Sequence, residues 1–117
     1  MQEVKIWHNS KCSKSRATLE LLQNENCKIK VVSYLETTPS TEEIKAVLCL
    51  LNVNARALMR TKETLYEELN LSDIALSEEV LIQSMFDNPS LIERPVVLAN
   101  GKAAIGRPLE NVIKILS

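Results

Sequence analysis

Apolar positions along the chain change spacing several times, and the changes mark out its elements. Val4 to Trp7 is short and mostly apolar, which predicts a strand. A polar loop, His8 to Lys11, follows it. Ser15, Thr18, Leu19 and Leu22 then fall at the i, i+3, i+4, i+7 spacing of one helical face, predicting a helix from about Cys12 to Asn24. Cys27 to Tyr34, rich in β-branched residues (Ile29, Val31, Val32), predicts a second strand. Together these make a βαβ unit, parallel and right-handed.

Pro39 ends that region, and Ser40-Thr41-Glu42-Glu43 has the S-x-x-E form of a capping box. The helix it opens runs to about Leu51 with Ile44, Val47, Leu48 and Leu51 on its apolar face. Asn52-Val53-Asn54 breaks it, and Asn54 caps a short helix containing Arg56 and Arg60. Tyr66 to Leu71 and Ser77 to Phe86 continue the helical region until Asn88-Pro89. Val96 to Ala99, the turn Asn100-Gly101 and Lys102 to Ile105 predict a β-hairpin. Pro108 then begins a last helix with Leu109, Val112, Ile113 and Leu116 on one face. The order is β-α-β, a helical insertion at about 38–90, then β-β-α. That is the element order of an α/β thioredoxin-like fold, a mixed sheet flanked by helices, so residues 1–117 are expected to form a single domain.

Composition narrows the function. The chain has 117 residues, 14 Lys and Arg against 15 Asp and Glu, and a net charge of -1, so no global field draws it to nucleic acid or an anionic membrane. Aromatic residues are 3% of the chain, too few for a stacking platform on single-stranded nucleic acid. The longest apolar run, Ala46 to Leu51, is far shorter than the ~20 residues of a membrane span, and the N-terminal stretch lacks the form of a secretory signal. A cytoplasmic location is expected. The three cysteines, Cys12, Cys27 and Cys49, fit neither a disulfide framework nor a zinc knuckle, and His8 is the one histidine, so no metal site is expected. The two glycines, Gly101 and Gly106, leave no glycine-rich phosphate loop.

Chemistry concentrates at Cys12, placed after the first strand, at the start of the first helix, beside Lys11, Lys14 and Arg16. A thiol of ordinary pKa is only about 3% thiolate at pH 7, and a shift worth ~2.7 kcal/mol would make it mostly thiolate. The helix terminus supplies ~0.3 to 1 kcal/mol of this. Cations or hydroxyls such as that of Ser15 supply the rest. A low-pKa sulfur also leaves well when a second thiol attacks it, which suits a cycle of covalent capture and thiol release. His8 is either a charge or hydrogen-bond partner for that thiolate or a loop histidine packed at the strand end. Asn9 offers its amide to the same loop. Cys27 and Cys49, away from helix starts, read as structural.

His8-Asn9-Ser10-Lys11-Cys12-Ser13-Lys14-Ser15-Arg16 resembles the H-N-x-x-C-x-x-S-R signature of the glutaredoxin-coupled arsenate reductases, the ArsC family. The resemblance continues through Tyr34-Leu35-Glu36, Arg56-Ala57-Leu58-Met59-Arg60, Glu93-Arg94-Pro95-Val96-Val97 and Gly106-Arg107-Pro108, and in length the chain is similar to the shorter branch of the family. The resemblance implies a thioredoxin-like domain that reduces arsenate to arsenite with Cys12 as nucleophile. It implies that Arg60, Arg94 and Arg107 surround the oxyanion and that Pro95 is cis. It further implies no bound cofactor, with glutathione and glutaredoxin as external reductant and glutaredoxin a transient partner.

The arginines themselves agree in kind, since fixed guanidinium forks suit a tetrahedral oxyanion. Arg94 and Arg107 each precede a proline, which biases their backbone to extended conformations. Arg56 has no carried-over role. A low-molecular-weight phosphatase loop needs five residues between Cys and Arg, whereas Cys12 and Arg16 enclose only Ser13-Lys14-Ser15. A dithiol oxidoreductase needs a second cysteine where Ser15 stands. Two alternatives remain: a non-catalytic regulator of the Spx type that binds RNA polymerase, and a thiol-dependent reductase of another oxyanion.

Overall fold

Strand β1 (Glu3–Trp7) buries Val4 and Ile6 in one core with Leu22 of the following helix, α1 (Ser13–Asn24). Val97 of β3 (Val96–Ala99), Ala104 of β4 (Lys102–Ile105) and Val112 and Ile115 of α5 (Glu110–Ile115) complete it. Fully burying a Leu or Ile side chain stabilises by about 1.5–3 kcal/mol, so this shared face is what ties helices to sheet. The computed structural model describes residues 2–116. With β2 (Lys28–Val32) the strands form one sheet in the order β2-β1-β3-β4. β1 and β2 are parallel, while β3 runs antiparallel to both β1 and β4. The fold is a mixed α/β sheet of thioredoxin-like type.

Two compact units divide the chain: one runs through Thr37 and resumes at Arg94, carrying the sheet, and the other is Thr38–Glu93. In the second unit, α2 (Thr41–Leu51) opens with the reciprocal Ser40 and Glu43 capping box and stops at Asn52, whose φ of 57° is left-handed. Its Ile44, Val47 and Leu48 are buried, as are Leu81, Ile82 and Met85 of α4 (Glu78–Asp87), which packs against it. Between them lie a 3-10 turn, Ala55–Leu58, capped by the Asn54 side chain on the Ala57 amide, and α3 (Thr64–Glu68).

Several boundaries differ from the sequence expectation. Strand β2 ends at Val32 because the Ser33 carbonyl closes a turn, accepting from the amides of Glu36 and Thr37 at 2.9 Å. Arg60 lies outside the short helix with Arg56, since Met59 pairs with Ile92 in an isolated β-bridge that draws the chain out straight. Helix α3 stops before Leu71, where Asn70 takes a φ of 54°. The last helix begins at Glu110 rather than Pro108. Its approach is wound tightly, with Asn111 and Val112 donating to Pro108 and Leu109 at 3.1 and 3.0 Å. That over-winding turns Ile113 outward, to 48% exposure, and buries Ile115 in its place, while Val112 is buried as expected.

Candidate active site

Register brings three segments to one end of the sheet. Trp7 pairs with both Val32 and Val96, and Val96 with Ile105, so β1 leaves, β3 enters and β4 leaves at the same row. Beyond that row lie the loop His8 to Cys12, the Arg94-Pro95 step and Gly106-Arg107-Pro108. All three belong to the same unit. Both X-Pro bonds here, Arg94-Pro95 and Arg107-Pro108, are cis.

The loop is held by short hydrogen bonds within itself and to its own helix. The Cys12 amide donates to the Asn9 carbonyl at 3.0 Å, and the Asn9 side-chain oxygen accepts from the Lys11 amide at 3.0 Å. Ser15 Oγ accepts from the Asn9 amide at 3.0 Å and lies 2.7 Å from His8 Nδ1. Cys12 therefore caps α1 in extended conformation (φ -98°, ψ 122°), one residue before the helix, and is buried.

The charge on the sulfur is settled by competing effects. Burial disfavours the thiolate, but the backbone amides of Ser15 and Lys14 and the charges of Arg94 and Arg107 outweigh it and hold the Cys12 pKa below that of an ordinary thiol. Ser15 acts on the sulfur through its amide, its hydroxyl being engaged by Asn9 and His8. The cations responsible are remote in sequence, not the neighbouring lysines. His8 is lowered by burial and by the charge of Arg16, which favours the neutral imidazole and hence a hydrogen-bonding part rather than a charged one. Cys27 goes the other way, raised by burial and by Glu25. Alkylation rate follows thiolate, so in single-cysteine variants the Cys12 profile is expected to rise at lower pH than that of Cys27. Coincident profiles would remove the assignment.

Arg107 is the direct contact. Its Nη2 lies 3.3 Å from Cys12 Sγ while its Nε donates to the Arg94 carbonyl at 2.7 Å, which fixes the guanidinium plane. The Gly106 amide donates to the Pro95 carbonyl at 2.9 Å, joining the two proline segments. Gly106 and Thr18 gain importance that the sequence did not signal: a Cβ on Gly106 would lie 2.8 Å from Pro95 Cγ and 2.8 Å from Thr18 Oγ1. A glycine just beyond a strand is the one available signal, since it often marks close backbone approach. Arg60 sits in the second unit, its Nη1 2.7 Å from Glu63 and its Nε 4.0 Å from Glu93. Arg56, in the same unit, is structural: it donates to the carbonyls of Leu71 and Asp73. Among the described residues, no cluster of three or more His, Cys, Asp or Glu side chains is placed to hold a metal ion. Among the same residues, no helix is long and apolar enough to cross a membrane.

A cysteine at a helix start, with its pKa lowered and a guanidinium on its sulfur, has the chemistry of an activated thiol beside a cation that suits an anion. The family model described as "ArsC family" matches residues 7–115. The chain is 56% identical over 116 residues to the Escherichia coli K12 protein YfgD, covering 98% of each. It is 49% identical over 117 residues to the arsenate reductase of Neisseria meningitidis, covering 99% of this chain and 100% of that one. Among solved structures, the arsenate reductase from Vibrio cholerae superposes with a TM-score of 0.95 at 52% identity, covering 98% of both chains. With the match extending over nearly its whole length, the chain belongs to the ArsC family.

Proposed function

We propose that the protein is an arsenate reductase in which the Cys12 thiolate attacks arsenic and external thiols, glutathione and glutaredoxin, complete the reduction. The observation that carries this reading is the 3.3 Å contact between Arg107 Nη2 and Cys12 Sγ at the start of α1. A cation there favours the thiolate before attack and offsets the negative charge an oxyanion brings. Attack forms a sulfur to arsenic bond and expels one arsenate oxygen as water. An external thiol then attacks the Cys12 sulfur and breaks the sulfur to arsenic bond, leaving its electron pair on arsenic, which falls from +5 to +3 as arsenite; the mixed disulfide left on Cys12 is reduced by a further external thiol, which frees the Cys12 thiolate. Such a cycle needs a thiol-reducing compartment, which fits the cytoplasm.

The second thiol comes from outside the chain. Cys27 follows the far end of α1, a 12-residue helix about 18 Å long, so it is remote from the helix start where Cys12 sits. The double variant Cys27→Ser, Cys49→Ser is therefore expected to keep most steady-state turnover. Loss of turnover with normal first-step capture would identify an internal resolving thiol. The reading as a whole is tested by a coupled assay with arsenate, glutathione and glutaredoxin, following arsenite, with each component omitted in turn. Arsenite formation that persists unchanged in Cys12→Ser overturns it. The family resemblance also assigns Arg60 to oxyanion binding, and Arg60→Lys in the same assay tests that part.

A further inference from the structure

We propose that Arg16 is a positioning residue for Cys12: docked on the Ser10 carbonyl, its guanidinium closes the loop His8 to Cys12 onto the first turn of α1 and so sets the reactivity of a sulfur it does not touch. The inference rests on Cys12 being the reactive thiol. Arg16 Nη1 donates to the Ser10 carbonyl at 3.0 Å, and the Arg16 amide donates to the Cys12 carbonyl at 3.0 Å. Ser15 holds the other half of the loop, through the Asn9 amide and the His8 ring. Two adjacent helical residues thus hold four of the five loop residues. The Ser10 carbonyl lies two residues before Cys12, so its release would free the segment that aims the sulfur at the helix amides.

Placement of the charge is a second, independent observation. The first turn of α1 contains no acidic residue, and Lys14 and Arg16 put cations at the positive end of the helix dipole, where they are disfavoured. Arg16 is exposed, and its contact with Ser10 compensates that placement. Its charge also reaches the His8 ring and favours the neutral form, in which the imidazole stays a hydrogen-bonding partner of Ser15. The charged groups acting on Cys12 itself are Arg94, entering β3, and Arg107, leaving β4; Arg16 works through the loop.

The test uses the full chain carrying Cys27→Ser and Cys49→Ser, with alkylation of Cys12 by iodoacetamide followed against pH. Arg16→Gln is expected to raise the Cys12 midpoint by about half a unit, which is about threefold slower alkylation at pH 7. Arg16→Lys keeps the charge and one donor for a single carbonyl, so it is expected to stay within about twofold of the parent. The His8 ring resonances should titrate at higher pH in Arg16→Gln and at the parental pH in Arg16→Lys. A merely structural role would lower the melting temperature without moving either midpoint. Parental alkylation and His8 profiles in Arg16→Gln overturn the proposal, as does equal slowing in both variants. None of these readouts involves arsenate, so they fail or hold separately from the reductase reading.

Discussion

Arg94→Lys and Arg107→Lys are each expected to lower arsenate turnover at least tenfold, and the Ala variants by about 100- to 1,000-fold, the usual loss for one charge-assisted donor at an oxyanion site. Arsenate at neutral pH carries between one and two negative charges, and the attacking thiolate adds another. Two unit charges 4 Å apart repel by about 4 kcal/mol at an effective dielectric constant near 20, so approach requires cations already in place. Arg107 supplies one within 3.3 Å of the sulfur, and Arg94 adds its field to the same thiolate. Lysine is a poor replacement at 107 because the guanidinium does two things at once, anchoring on the Arg94 carbonyl with Nε and meeting the sulfur with Nη2. The family resemblance alone extends the same expectation to Arg60→Lys. Arg56→Lys is the control, since Arg56 holds the Leu71 and Asp73 carbonyls, and it should leave turnover within about twofold. Steady-state rates at saturating arsenate decide the matter. Parental rates and unchanged saturation in the Arg94 and Arg107 variants would mean that the anion site is misassigned, and a thioredoxin-fold binding module would then be the better reading.

What the sequence disclosed of this site follows the range of the interactions involved. The Ser40 and Glu43 capping box, the Asn100-Gly101 turn with both residues at positive φ, and the face of α1 carrying Ser15, Thr18 and Leu22 are local, and each reads directly from neighbouring residues. Cys12 at the helix start is equally local. The source of its acidity is not. Sequence proximity suggested Lys11, Lys14 and Arg16, whereas Arg107, 95 positions away, arrives only through the antiparallel register of β3 and β4. A hydroxyl at position 15 is visible in the sequence, but its direction is not, and it turns to His8 and Asn9 while the amide supports the sulfur. The helix after Arg107 misled for a related reason. Proline suits a first helical turn, yet the approach to α5 winds for two more residues before the helix proper.

Gly106→Ala should be the most damaging small substitution outside Cys12 and the charged groups, lowering turnover by about 100-fold, and the reason is space rather than backbone freedom. The two glycines make the contrast. Gly101 has a φ of 70° in its turn with nothing within 4 Å of an added Cβ, so alanine there strains the backbone and touches nothing. At Gly106 the added methyl would sit 2.8 Å from Pro95 Cγ, 2.8 Å from Thr18 Oγ1 and 3.2 Å from Pro95 Cδ. Neither neighbour yields easily: the proline ring is rigid, and Thr18 is fully buried in α1 with its hydroxyl donating to the Lys14 carbonyl at 2.9 Å. Overpacking of this kind costs about 1–3 kcal/mol of stability. The larger effect is geometric, because the displaced segments carry Arg94 beside Pro95 and Arg107 beside Gly106. A misplacement of about 1 Å at reacting groups is enough for a loss of about 100-fold. Gly101→Ala should therefore lower the melting temperature and spare turnover, while Gly106→Ala lowers both. Parental turnover in Gly106→Ala would show that the proline segments do not set the arginine geometry. Adding Thr18→Ala removes one of the two closest contacts, so the double variant should recover part of the lost stability relative to the sum of the single changes. A strictly additive cycle would place the whole conflict on Pro95, the residue whose displacement moves Arg94 most directly.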